Sequence, residues 1–158
     1  MKTSEPGREF IKRWEGLRLR VYSDVAGYGT VGWGHLLTPD DDAGPTISLE
    51  EAEDLFASDV LRIEQGVNKL VTVLLEQYEY DALVSFTFNL GVGALKKSTL
   101  LKRVNTSDKI AAAAQFLRWV YAGDQDGDGD VDYNDRVKGL VRRRSAEQRL
   151  FEFGDYGE

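Results

Sequence analysis

The chain has 158 residues, 42% of them hydrophobic and 30% charged, which reads as a soluble globular protein with a sizeable core. It contains no cysteine, so disulfides, thiol catalysis and thiolate metal sites are excluded. A formal net charge of −7 argues against nucleic acid as the main partner, and no apolar run reaches the roughly 18 residues a membrane span needs.

The N-terminus, MKTSEPGREF, lacks the hydrophobic region of a secretory signal, so synthesis and retention in the cytoplasm are expected. Phe10, Ile11 and Trp14 recur at helical spacing and predict a helix from about Glu5 to Trp14. Ser4 can cap it, Pro6 suits its first turn and Gly16 fits its stop. Leu17, Leu19 and Val21 then alternate with Arg18, Arg20 and Tyr22, a strand period. Gly27, Gly29, Gly32 and Gly34 cut the next stretch into tight turns and short strands. The expected order is helix end, strand, turn, strand, turn, strand. Glu15 falls where the helix ends, and Asp24 and Thr30 fall on the hairpin.

Pro39 to Pro45 reads as a loop. Ser48 and Glu51 form a capping box that opens a helix reaching Gln65, or Leu70 if Gly66 is tolerated. Residues 72–90 are rich in apolar and aromatic side chains and predict a buried helix, ended by Asn89–Gly93. A short basic helix is expected from Lys96 to Val104, and another from Lys109 to Tyr121, capped by Ser107 or Asp108. The last helix runs from about Gly139 to Phe153, with Leu140, Ala146, Leu150 and Phe153 facing inward and Gly154 as its stop. Arg142, Arg143 and Arg144 cannot share one face. One of them is expected to reach a cleft or a catalytic carboxylate.

Glu15 and Asp24 are a candidate pair for glycoside hydrolysis, which needs one carboxyl protonated and the other ionised. A Glu at a helix end, backed by Trp14 and Leu17, would be partly desolvated and kept protonated. An Asp on a turn among amides and water would stay ionised. Two acids taken alone are ordinary surface charges; the surrounding motif decides otherwise. Glu15-Gly16-Leu17-Arg18, then Tyr22-Ser23-Asp24, then Gly27-Tyr28-Gly29-Thr30-Val31-Gly32-Trp33-Gly34-His35 follow one another without a gap. This run closely resembles the signature of the phage-type lysozyme (endolysin) family, glycoside hydrolase family 24. The resemblance implies an α+β, mostly helical, lysozyme-like fold. A small N-terminal lobe with the hairpin would span about residues 12–60, and a helical C-terminal lobe about 61–158 together with the first helix. It implies Glu15 as general acid, Asp24 as second carboxylate and Thr30 as the residue that positions water. It also implies hydrolysis of the bond after N-acetylmuramic acid in peptidoglycan, with no cofactor for catalysis. His35, the only histidine, has a structural pairing role on the same resemblance, and Asn89 is a weaker substrate-contact candidate. A monomer acting on the glycan strand is expected, made in a host cytoplasm and reaching the wall after release by a holin-type lesion. The alternatives at this stage are a lytic transglycosylase and a non-catalytic, calcium-regulated wall-binding module.

Residues 121–140 depart from the family pattern. With Asp124 as position one, Asp126 stands at three, Asp128 at five, Gly129 at six, Asp130 at seven, Val131 at eight, Asp132 at nine and Asp135 at twelve. This is the spacing of an EF-hand-type calcium loop, with a terminal Asp in place of Glu that resembles the dockerin type. Asp124, Asp126, Asp128, Asp130 and Asp135 are the expected ligands. Six aspartates in twelve residues repel one another unless a cation neutralises them. Without those six the net charge rises from −7 to −1, so the acidity of the protein is local.

Overall fold

The computed structural model describes residues 1–23, 29–39, 41, 44–122 and 137–157. Helix α1 (Glu5–Glu15) is capped by Ser4, whose hydroxyl accepts from the Gly7 amide at 3.1 Å, and has Pro6 in its first turn. It stops at Gly16, whose φ of +70° is open to glycine at little cost. Phe10 and Ile11 bury its inner face. A three-stranded antiparallel sheet follows in the order β1 (Arg18–Ser23), β2 (Gly29–Gly32), β3 (His35–Leu36). Tyr22 pairs with Thr30 and Ser23 with Gly29, while the register is irregular between Arg18 and Tyr22. The apolar alternation on β1 marks the strand but not a buried face. Leu17 and Leu19 are exposed, and only Val21 packs against the core.

Helix α2 (Leu49–Leu70) opens on the predicted capping box, with Ser48 Oγ accepting from the Glu51 amide at 3.1 Å and Glu51 Oε2 from the Ser48 amide at 2.7 Å. It runs straight through Gly66, which lies against Val92. A Cβ on Gly66 would stand 2.5 Å from a Val92 methyl, so glycine is what lets α2 meet the next helical layer. Helix α3 (Gln77–Leu90) is the centre of the helical region and packs against α1, α2 and the last helix. It starts five residues later than expected. Glu79 Oε2 accepts from the Glu76 amide at 2.8 Å, and the Thr72 amide donates to Asn105 Oδ1 at 3.0 Å, holding residues 72–76 outside the helix.

The basic helix expected over Lys96–Val104 is two helices, α4 (Val92–Lys97) and α5 (Thr99–Asn105). Ser98 divides them: its hydroxyl donates to the Leu95 carbonyl at 2.7 Å and accepts from the Leu101 amide at 3.0 Å. Helix α6 (Lys109–Phe116) is capped by Asp108 through the Ala111 amide at 3.2 Å and ends short of Tyr121. The last helix, α7 (Lys138–Phe153), ends on left-handed Gly154 as expected. Its inward residues are Arg143, Arg144, Glu147, Leu150 and Phe151. Phe153 is exposed, a correction to the sequence expectation; Phe151 takes the core position, with its ring 5.6 Å from that of Phe116.

The expected ligands Asp124, Asp126, Asp128, Asp130 and Asp135 lie outside the described residues, as does Asp24. The chain on either side of the acidic stretch is joined directly: the Val137 amide donates to the Val120 carbonyl at 2.9 Å. Among the described residues no group of acids or histidines could hold a metal ion, and no helix is long and apolar enough to cross a membrane.

Candidate active site

Glu15 is the last residue of α1, and Gly16 turns the chain away immediately after it. The core contacts of Phe10 and Ile11, one turn back, fix the helix end that presents it. Its side chain is 17% exposed, so the carboxyl is partly withdrawn from water but still reachable. One wall beside it is the turn between β2 and β3. A Cβ on Gly34, which has a φ of +79°, would stand 3.4 Å from Glu15 Oε2. A side chain there would crowd the carboxyl as well as strain the backbone.

The apolar backing expected from Trp14 and Leu17 is incomplete. Leu17 is exposed, and the neighbour of Glu15 is Arg143, with Nη1 2.7 Å from Oε1. The same guanidinium is shared. Its Nε donates to Glu147 Oε1 at 3.1 Å and its Nη2 to the Ser85 carbonyl at 3.3 Å. Glu147 is fully buried; Ser85 Oγ donates to its Oε1 at 2.8 Å, and Arg144 Nη1 stands 2.8 Å from its Oε2. Arg144 donates to Asn89 Oδ1 and lies over the Phe86 ring, 5.2 Å from its centroid. A continuous row of charged and polar groups thus runs from the end of α1, through α7, to the end of α3. Burial pushes the Glu147 carboxyl up from its ordinary value, and both guanidiniums and the Ser85 hydroxyl pull it back.

Thr30 is buried on β2, opposite Tyr22. The hairpin expected to present Asp24 is present up to Ser23 and again from Gly29. Asn89, a candidate substrate contact, has its side-chain oxygen engaged by Arg144. His35 bridges the sheet to α2, with Nδ1 2.8 Å from Asp59 Oδ2 and Nε2 3.5 Å from Asp41 Oδ2. The Thr38 amide and hydroxyl hold the Asp41 carboxyl below its usual range. A histidine nine-tenths buried between two acids fits the structural role expected of it.

The Phage lysozyme family model matches residues 12–147. The chain belongs to the phage lysozyme family. The matched span includes Glu15, Asp24, Thr30, Arg143 and Glu147. An endolysin of Acyrthosiphon pisum secondary endosymbiont phage 1 is 40% identical over 96% of this chain and 99% of its own length. An endolysin of Bacillus phage B103 is 43% identical over 98% of this chain, which spans 56% of that longer protein. Among solved structures, the muramidase domain of SpmX from Asticaccaulis excentricus superposes with a TM-score of 0.84 at 36% identity, covering 96% of this chain and 97% of that one. The α+β, mostly helical lysozyme-like fold expected from the signature is the fold observed.

Ser85 is a member of this phage-lysozyme site region that the sequence did not single out, nor did the run of arginines by itself show that Arg143 and Arg144 pair with Glu147. A faint signal was available. Arg143 and Arg144 stand four and three residues before Glu147, the spacings at which helical side chains meet.

Proposed function

We propose that the protein is an endolysin-type muramidase of glycoside hydrolase family 24, cutting the β-1,4 bond between N-acetylmuramic acid and N-acetylglucosamine in peptidoglycan. The observation that supports this best is the placing of Glu15 at the end of α1. Its carboxyl is partly buried, flanked by Gly34 and gripped by Arg143, inside the span that matches the family. In the reaction Glu15 gives its proton to the glycosidic oxygen as the bond from that oxygen to the muramic C1 breaks. Water, held by Thr30 and Asp24, adds to C1 from the other face and passes its proton to Asp24. This single displacement needs the two carboxyls about 6.5–9.5 Å apart. The enzyme acts as a monomer on the glycan strand, made in a host cytoplasm and reaching the wall after a holin-type lesion.

The second part of the proposal is a calcium site at Asp124, Asp126, Asp128, Asp130 and Asp135. Its support is the donor chemistry: oxygen-only ligands at positions one, three, five, seven and twelve, with glycine at six. A calcium ion there would neutralise a run of repelling charges. Its expected dissociation constant is on the order of 10⁻⁵–10⁻³ M.

Purified Gram-negative peptidoglycan is the direct substrate for a test. The protein alone should lower the turbidity of a sacculus suspension and release soluble muropeptides. Turbidity that stays constant, with the protein folded and calcium present, would overturn the muramidase reading.

A further inference from the structure

A guanidinium bound to one buried carboxylate makes a fixed ion pair, and a group locked in that way is a poor proton donor. Arg143 is not in that situation. It touches Glu15 with Nη1 and Glu147 with Nε, and the far oxygen of Glu147 has Arg144 Nη1 at 2.8 Å, a charge contact without the direction of a hydrogen bond. We propose that Glu147, which lies in the interior and never meets the substrate, is a positioning residue for the reaction. It holds the Arg143 guanidinium against Glu15 and takes up part of its charge, so that Glu15 is aimed without being locked in its ionised form. The inference rests on the reading of Glu15 as the proton donor.

Three observations support the division of labour. Glu147 is 0% exposed, so solvent does not share its charge. Its position is set from α3 and not only from α7, because Ser85 Oγ donates to the oxygen that Arg143 also reaches. The Arg143 Nη1 contact with Glu15 is a close charge contact at 2.7 Å that lacks the direction of a hydrogen bond, whereas the Nε contact with Glu147 has it. The better-directed bond is the one to Glu147.

The surrounding charges are few. On α7 they are Arg143 and Arg144; on α1 itself Lys12 is paired with Glu9 and Glu53 and Arg13 donates to the Tyr156 carbonyl, and Arg18 at the start of β1 lies over the Tyr22 ring. On α3, the charged groups Glu79 and Asp81 are engaged elsewhere, Glu79 by Lys109 and Asp81 by Ser4, Gln77 and Tyr156. On α6, Lys109 is the one charged residue, and it is the partner of Glu79. The turn at Trp33 and Gly34 brings none. Asp24, outside the described residues, is common to every variant compared. With Glu147 ionised, the two arginines and this acid leave one net positive charge near Glu15. Replacing Glu147 by Gln leaves two; replacing Arg144 by Gln leaves none.

The two substitutions should therefore move the alkaline limb of the rate–pH profile in opposite directions. Glu147→Gln should bring it to lower pH by on the order of one pH unit, and Arg144→Gln should carry it to higher pH. Glu147→Asp, which restores the charge, should return the limb toward that of the parent. A role in stability alone would lower the rate at every pH and leave the limb in place, and that result would overturn the proposal. Should either variant fail to fold, the unaltered protein decides. The carbon-13 signal of the Glu147 carboxyl should show it ionised throughout the pH range of activity. A protonated Glu147 there has no charge to share, and the proposal falls. A Glu15→Gln variant run alongside separates the two levels. If that variant is inactive but the limb does not move, only the role of Glu147 is lost. If it stays active, the reading of Glu15 is lost as well.

Discussion

Replacing Glu15 by Gln is expected to slow peptidoglycan clearing by about 10²–10⁴-fold, the usual worth of a positioned general acid. The substitution keeps the shape of the side chain but removes the proton it can give and the charge that meets Arg143. The fold should survive. Arg143 retains Glu147 Oε1 and the Ser85 carbonyl as partners, so it is not left as an unpaired buried charge. The core residues that hold α1, Phe10 and Ile11, are untouched. Rates of turbidity loss on purified sacculi, measured beside the melting temperature, separate the two effects. A variant within twofold of the parent rate would remove Glu15 from the chemistry. A variant that melts far below the parent would show that the Arg143 contact serves mainly to hold α7 to α1.

Calcium is expected to raise the melting temperature, and a chelator to remove the increase. An ion that binds only the folded chain, at a hundredfold excess over its dissociation constant, stabilises by about 2.7 kcal/mol. For a protein of this size, at roughly 2–4 °C per kcal/mol, that is a shift of about 5–10 °C. The backbone bond from Val137 to Val120 joins the two sides of the acidic stretch, and α7 begins at the next residue. A calcium ion bound by residues 124–135 would therefore act on the start of the helix that holds Arg143. Wall-clearing near the apo melting temperature should accordingly rise with calcium, while magnesium, which is reluctant to shed its waters, should do much less. Asp128→Asn should weaken the response by removing one ligand charge. Equal melting temperatures in calcium and in chelator would end the calcium assignment and leave the glycosidase reading intact.

The parts of the fold that local chemistry decides were legible in the sequence. Ser4, Ser48 with Glu51, and Asp108 start helices because a short polar side chain satisfies free amides within the same turn. Gly16 and Gly154 end them because their backbone goes where a side chain would strain it. Periodicity failed where one residue type serves two purposes. Ser98 reads as one more helical residue over Lys96–Val104, yet it closes one helix and caps the next. Phe153 falls on the inward face of the last helix only when apolar residues alone define that face. The face that is buried carries Arg143, Arg144 and Glu147 as well. They neutralise one another within α7, and their burial also draws on Glu15 of α1 and on Ser85 and Asn89 of α3, partners that lie far away in the sequence. The same reason hid the true neighbour of Glu15. The motif locates the acid, and the run of arginines indicates that one reaches a carboxylate, but the residues beside Glu15 in the sequence do not show that Arg143, from the far end of the chain, stands against it.

The most direct test of the central claim is digestion of purified sacculi in water enriched in oxygen-18, followed by mass spectrometry of the soluble products. An acid at Glu15 working with a directed water predicts one oxygen-18 at each new reducing N-acetylmuramic acid end. Products that end in anhydro-sugar and carry no label would contradict it, since water would then have taken no part in the cut.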